Sequence, residues 1–268
     1  MPKASAHQSS DFVRLLVMGP SGSGKTGGLL SLLKAGYQVS VLDMDNGLDW
    51  LVNKVKSEPN AAELLERLDY QTFRDQYKMT QAGPQYVGVP KAYTSAIQSL
   101  DKWDDGTKPS EWGPKRILAL DSLTFFGNSA YNWKDALNPG AKDKRQIYGA
   151  AQDAVADILD AITSPEFKTN VMVFTHVRWK TRTDDQGNTV TIGGGPSAIG
   201  EALMDRIGTY FNSVGLAEST GQGANVKRHV RFTPTGLIDL KTSAVKLPPN
   251  PLPLETAYSD FFKAAKGG

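Results

Sequence analysis

Apolar and polar positions along this chain follow two periods, one suited to buried strands and one to helices. Residues 12–18 are apolar except for Arg14 and stop at Gly19, which predicts a short buried strand. Residues 25–35 put Leu29, Leu30, Leu32 and Leu33 on the buried side of a helix, with Gly36 placed to cap it in the left-handed conformation. Residues 38–42 read as a second strand, β-branched at Val39 and Val41, running into Asp43. A strand–helix–strand unit of this length predicts parallel strands joined by a right-handed crossover.

Further along the periods are mixed. Residues 61–68 predict a helix, 69–73 a strand and 81–90 a loop. A helix is expected over 92–103, closed by a polar loop at 104–114, and a buried strand over 116–120 ends at Asp121. Ile147, Ala151, Val155, Ile158, Leu159 and Ile162 make 147–162 an amphipathic helix. Residues 171–174 form another buried strand, ending at Thr175 and His176, and a glycine-rich loop with Gly193, Gly194 and Gly195 follows. Antiparallel strands are expected at 207–217, 227–233 and 236–240, and after the prolines of 248–253 a terminal helix over 257–266. The predicted fold class is α/β: a mostly parallel central sheet flanked by helices, with a C-terminal antiparallel extension. Residues 1–11 are expected to form a flexible tail, 12–247 one core, and 248–268 a C-terminal tail with a short helix.

Composition narrows the function classes. A chain of 268 residues, 40% hydrophobic and 22% charged, is an ordinary globular composition. No stretch approaches the roughly 18 apolar residues of a membrane span. The start of the chain lacks the apolar core of a secretory signal, so a cytoplasmic location is expected. Without cysteine, disulfides, thiolate metal sites and cysteine nucleophiles are excluded. A net charge of +2 does not announce a nucleic-acid binder. The local basic clusters (Lys142, Lys144, Arg145; Arg178, Lys180, Arg182; Lys227, Arg228, Arg231) each read more readily as solvated surface until position decides.

The clearest chemistry lies between the first strand and the first helix. Gly19, Pro20, Ser21, Gly22, Ser23, Gly24, Lys25 and Thr26 match G-x-x-x-x-G-K-[ST]. Glycines let backbone N–H groups converge on phosphate oxygens, and the helix that follows presents its positive end to the anion. Lys25 is expected to reach the β- and γ-phosphates of ATP, and the Thr26 hydroxyl to coordinate Mg²⁺. Asp121, at a strand end, is the expected partner of the metal through water. Ser122 follows it where many such ATPases place a glutamate base. The base must therefore come from elsewhere, and Asp45, further past the second strand than Asp43, is preferred; a turn-forming role for that acidic segment stays open.

These residues together resemble the RecA-type recombinase core. In that family a strand ends in Asp-Ala-Glu followed by Ala-Leu-Asp, and the glutamate activates water. Here Asp43-Met44-Asp45-Asn46-Gly47-Leu48-Asp49 places Asp45, one methylene shorter, at that position. Asp121-Ser122 matches the metal-binding strand end, and His176 resembles the glutamine that senses the γ-phosphate. Tyr210-Phe211-Asn212-Ser213-Val214-Gly215-Leu216 resembles the strand after the family's DNA-binding loop. The likeness is closest to short, core-only RecA-like proteins encoded by phages, some of which anneal single strands. It implies single-stranded DNA, a homo-oligomer and a single-strand-binding protein as partners, and no membrane. It makes 178–197 a single-strand loop, with Arg178, Lys180 and Arg182 for phosphates, Trp179 for stacking on bases, and glycines that let it order when DNA arrives. A second candidate loop, 125–145, carries Phe125, Phe126, Tyr131 and Trp133. Arg231 and Lys241 stand where relatives carry cations that reach a neighbour's ATP. Two rival readings remain: a P-loop ATPase acting as a motor, packaging enzyme or protein switch, and an annealing module that binds ATP without hydrolysing it.

Overall fold

The computed structural model describes residues 11–247 and 251–267; the expected flexible tail falls almost entirely outside them, as does part of the proline segment. In chain order the elements are β1 Arg14–Met18, α1 Leu29–Lys34, β2 Gln38–Asp43, α2 Asp49–Lys56, α3 Ala61–Glu66, β3 Leu68–Thr72, β4 Tyr77–Thr80, β5 Gly83–Tyr86 and α4 Ala92–Asp101. There follow β6 Gly113–Asp121, α5 Leu123–Leu137, α6 Lys144–Thr163, β7 Thr169–Thr183 and β8 Thr189–Ser197. The chain closes with α7 Met204–Ile207, β9 Ser213–Thr220, β10 Lys227–Arg231, β11 Leu252–Pro253 and α8 Leu254–Ala265.

The main sheet runs β11-β10-β9-β1-β7-β6-β2-β3, and β8 pairs with β7. Contacts from β9 through β3 are parallel, whereas β10, β11 and β8 join antiparallel. This is the expected fold class. Alternation along each strand splits the core in two. Leu16, Leu118, Leu120, Val171 and Val173 face α4, α5 and α6. Leu15, Val17, Val39, Ile117 and Phe174 face α1, α2 and α8. The parallel strand ends therefore meet along one edge of the molecule, where ligands of such sheets bind.

Five expectations need correction. Helix α1 starts at Leu29: the turns before it close three residues back, Leu29 N–H on the Thr26 carbonyl, Leu30 on Gly27 and Ser31 on Gly28. Residues 81–90 hold a strand, β5, which pairs with β4. The second candidate loop is mostly helix: Leu123, Phe126, Gly127 and Ala130 bury one face of α5. The glycine-rich loop is a hairpin, since β7 continues through Thr183 and pairs with β8. Glycine suits that strand because the Trp179 ring lies across it; a Cβ on Gly194 would meet the indole at 2.8 Å. Finally, 207–217 divides into the end of α7, a 3-10 turn and β9, and 236–240 forms no strand, its neighbour Lys241 making only one bridge to Val214.

The last helix begins at Leu254, three residues before the periodicity suggests, and buries Tyr258, Phe261 and Phe262 against the α1 side of the sheet. Residues 254–265 are thus part of the core.

Candidate functional site

The phosphate loop is held at both ends by the sheet. Gly19 N–H donates to the Thr175 carbonyl at 3.1 Å, which ties the loop to β7. Gly22 and Gly24 have φ of +78° and +89°, in the region that favours glycine. A Cβ on Gly19 would lie 2.5 Å from the Ala217 carbonyl oxygen, and one on Gly24 would lie 2.4 Å from Leu254 Cδ2. The Lys25 ammonium folds onto its own loop, donating to the carbonyls of Gly19 at 2.8 Å and Pro20 at 3.0 Å. Burial lowers its pKa, and the charges of Asp121 and Asp45 oppose that shift.

Thr26 Oγ1 donates to Asp121 Oδ2, joining two residues 95 positions apart. Asp121 is buried, and desolvation, aided by the Asp45 charge, pushes its carboxyl up to about 7. In the parallel pairing of β2 with β6, Asp43 lies opposite Asp121.

Asp43 and Asp45 differ in what their carboxylates touch. Asp43 Oδ1 accepts from Asn46 N–H at 2.8 Å and Gly47 N–H at 3.2 Å, and its Oδ2 accepts from Thr72 Oγ1 at 2.9 Å. It shapes the loop, in which Asn46 takes φ +61°. Asp45 Oδ1 is buried with no hydrogen-bond partner. Burial first, then the Asp43 charge, raises the Asp45 pKa. The carboxylate oxygen without a partner is the one available for a ligand.

His176 sits at the C-terminal end of the buried part of β7, where its N–H donates to Thr124 Oγ1 at 3.1 Å. Burial and the Lys25 charge lower its imidazole pKa, which keeps the ring neutral. Lys25, Thr26, Asp45, Asp121 and His176 line one cavity of about 380 Å³, within the range of small-ligand sites. Six residues that the sequence reading did not assign to the site line it too: Gly27, Gly47, Trp50, Arg228, Leu254 and Glu255. Arg228 Nε donates to the Gly22 carbonyl at 2.9 Å, so β10 reaches over the phosphate loop. The sequence marks Trp50 only by its place directly after Asp49.

The remaining expected residues lie elsewhere. On the hairpin, Arg178 pairs with Glu201 and Lys180 with Asp205, both at 2.7 Å. Trp179 is half exposed on the face of Gly194, and Arg182 is exposed with no ion pair among the described residues. Arg231 contacts Glu218 at 3.2 Å, and Lys241 is exposed; neither lines the cavity of its own chain. Of the basic residues at the start of α6, Lys144 pairs with Asp135 and Arg145 with Asp143.

A nucleotide with Mg²⁺ fits these residues. Gly22 and Gly24 take positive φ, which lets backbone N–H groups converge on an anion, and Ser23 Oγ, Asp45 Oδ1 and Ser122 Oγ are buried without partners. No cluster of three or more acidic or histidine side chains able to hold a metal occurs among the described residues. A hydroxyl and one carboxylate suit a cation carried in by phosphate.

A sheet of this order, with a phosphate loop after β1 and a carboxylate from another strand on its threonine, defines a P-loop NTPase core of the RecA-like kind. The chain belongs to the AAA domain family, whose profile matches residues 11–244. Among solved structures, the RadB recombinase aligns at 19% identity over 84% of this chain and 86% of its own, with a TM-score of 0.45. A KaiC-like protein from Pyrococcus horikoshii OT3 aligns at 12% identity over 82% and 78%, with a TM-score of 0.42. The flagellar accessory protein FlaH from Methanocaldococcus jannaschii aligns at 11% identity over 87% and 89%, with a TM-score of 0.39. No curated protein matches the chain in sequence. No helix among the described residues is long and apolar enough to cross a membrane.

Proposed function

We propose that this protein is a Mg²⁺-dependent ATPase that binds single-stranded DNA and promotes strand annealing or homologous pairing. The observation that carries the reading is the position of His176. It lines the nucleotide cavity and is followed on the same strand by Arg178, Trp179, Lys180 and Arg182. One backbone segment therefore serves both the site of hydrolysis and a basic, aromatic arm suited to sequence-independent binding.

Lys25 leaves the carbonyls of its own loop to neutralise phosphate charge. Thr26 would hold Mg²⁺ directly and Asp121 through water, and the ion supplies charge neutralisation when bound. Asp45 orients the attacking water, its short side chain setting a low rate. His176, neutral, donates one hydrogen bond to the γ-phosphate and passes its presence or loss to the hairpin. Arg231 and Lys241, away from their own cavity, act on the ATP of a neighbouring copy in a homo-oligomer. A single-strand-binding protein is the natural supplier of the substrate strand.

A protein switch is the second reading, favoured by the ion pairs that already engage Arg178 and Lys180. Steady-state ATP hydrolysis with Mg²⁺, with and without single-stranded DNA and with Lys25→Ala as blank, separates the two. Stimulation of about tenfold, absent in the blank, is expected for the DNA-coupled enzyme. Hydrolysis unchanged by DNA would refute that coupling.

A further inference from the structure

A second polar cavity, of about 320 Å³, opens between α5, α6 and the base of the hairpin. On α5, Asn128, Tyr131 and Asn132 fall at i, i+3 and i+4, so they share one face. Tyr148 of α6 adds a second ring, 4.4 Å from that of Tyr131 and tilted by 32°. Arg178 of β7 stands at the edge, and the backbone of residues 198–200 makes the remaining wall.

Three features suit this cavity to a planar, polar ligand. First, the Asn128 and Asn132 amides make no hydrogen bond among the described residues. Each offers a donor and an acceptor side by side, the pattern that matches the edge of a nucleobase. Second, Tyr148 is 43% exposed although it is packed on Tyr131, leaving ring surface for a further planar group. Third, no side chain fits at Gly200 in the wall, which has φ +70° and where a Cβ would lie 1.9 Å from Gln152 Nε2. That amide in turn holds the Ile199 carbonyl at 3.2 Å.

The charge at the edge fits a phosphate. The partner of Arg178, Glu201, is exposed, and such pairs are readily exchanged for another anion. Stacking surface, base-edge amides and one cation together describe a single nucleotide unit. The cavity lies beside the segment that senses the nucleotide site. Thr124 Oγ1 and Thr175 Oγ1 both donate to the Ser197 carbonyl, next to the wall, while the Thr175 carbonyl holds Gly19 of the phosphate loop.

We propose that this cavity takes one unstacked base of a single DNA strand, with its phosphate on Arg178. The proposal rests on the DNA-binding reading above and adds where, and how, a base is gripped. The ligand chemistry, a nucleobase with one phosphate, is shared by a strand and by a free mononucleotide, and the test separates them.

Binding of a fluorescein-labelled oligo-dT to the full chain with ATP and Mg²⁺ is followed by anisotropy. The proteins are wild type, Tyr148→Ala, Tyr148→Phe, Asn132→Leu and Arg178→Ala, each checked for an unchanged thermal midpoint. Tyr148→Ala and Asn132→Leu should weaken binding about tenfold without altering its salt dependence, because they remove base contacts only. Tyr148→Phe keeps the ring and should bind like wild type. Arg178→Ala should reduce the slope of log K against log salt by about 1. Free dTMP at millimolar concentration should fail to displace the oligonucleotide. Wild-type binding of the oligonucleotide unaffected by Tyr148→Ala and Asn132→Leu overturns the pocket and leaves the DNA-binding reading standing. Displacement by dTMP overturns the strand as its source. No binding of DNA by wild type overturns both readings.

Discussion

Tyr258 lies on the terminal helix, 233 residues from the lysine of the phosphate loop, yet its hydroxyl donates to the Lys25 carbonyl at 3.0 Å. Both groups are buried. No other donor reaches that carbonyl among the described residues, because the turns after it use the carbonyls of Thr26, Gly27 and Gly28. Tyr258→Phe keeps the ring and removes the donor, stranding a buried acceptor at a cost of about 1–3 kcal/mol. At about 2–4 °C per kcal/mol for a chain of this size, the thermal midpoint should fall by roughly 5 °C. Tyr258→Ala also empties the space beside Phe174 and Gly28 and should cost about 3–5 kcal/mol. The phenol's pKa is raised well above its ordinary value by burial, so it donates throughout the neutral range and the deficit should be equal at pH 6 and pH 8. Thermal melts of the nucleotide-free protein measure the stability effect, and titration with a fluorescent ATP analogue measures the effect on the loop, where affinity should drop severalfold. A Tyr258→Phe protein that melts with the wild type would refute the reasoning, since the carbonyl would then be satisfied without the phenol.

Three further outcomes follow from the same geometry. Gly24→Ala introduces both a strained φ and a Cβ that overlaps Leu254 and Arg228, so nucleotide affinity should fall by at least tenfold; filter binding of ATP checks it. Glu201→Gln with Asp205→Asn frees Arg178 and Lys180, so affinity for single-stranded DNA should rise several-fold at low salt, and a fall would show that these acids support the hairpin instead. Burial and the Lys25 charge depress His176, so its protonation midpoint by NMR should lie below its ordinary value of about 6.5. Lys25→Met should move that midpoint upward, and an unmoved midpoint would exclude the charge as a cause.

The phosphate loop and its strand–helix–strand setting were legible because the chemistry dictates residue types at fixed spacing, and Gly36 caps α1 with φ +84° as its position implies. The sheet's parallel centre and antiparallel end were legible for a related reason: apolar strands separated by helical periods leave few topologies. What escaped notice depends on partners distant in sequence. Three consecutive glycines look like a loop until Trp179 is placed across the strand from Gly194. The aromatics of 125–145 look like a sticky loop until Phe126 and Trp133 are seen against Tyr93, and α5 then accounts for them. Residues 254–265 read as any amphipathic helix, and only the packed fold shows Leu254 and Glu255 at the nucleotide cavity. Asp43 and Asp45 are indistinguishable by type; only the fold shows Asp43 Oδ1 accepting from the Asn46 and Gly47 N–H groups while Asp45 Oδ1 is buried without a partner.

The hairpin's two strands differ in bending stiffness. Strand β7 runs 15 residues without a glycine, while β8 carries Gly193, Gly194, Gly195 and then Pro196. From His176 to Thr183 it projects about 25 Å beyond the sheet at about 3.3 Å per residue. Such a pair behaves as a laminate with one rigid and one compliant ply. At its base the long strand meets the buried Thr175, whose carbonyl accepts from Gly19 N–H, so the arm and the phosphate loop share one anchorage.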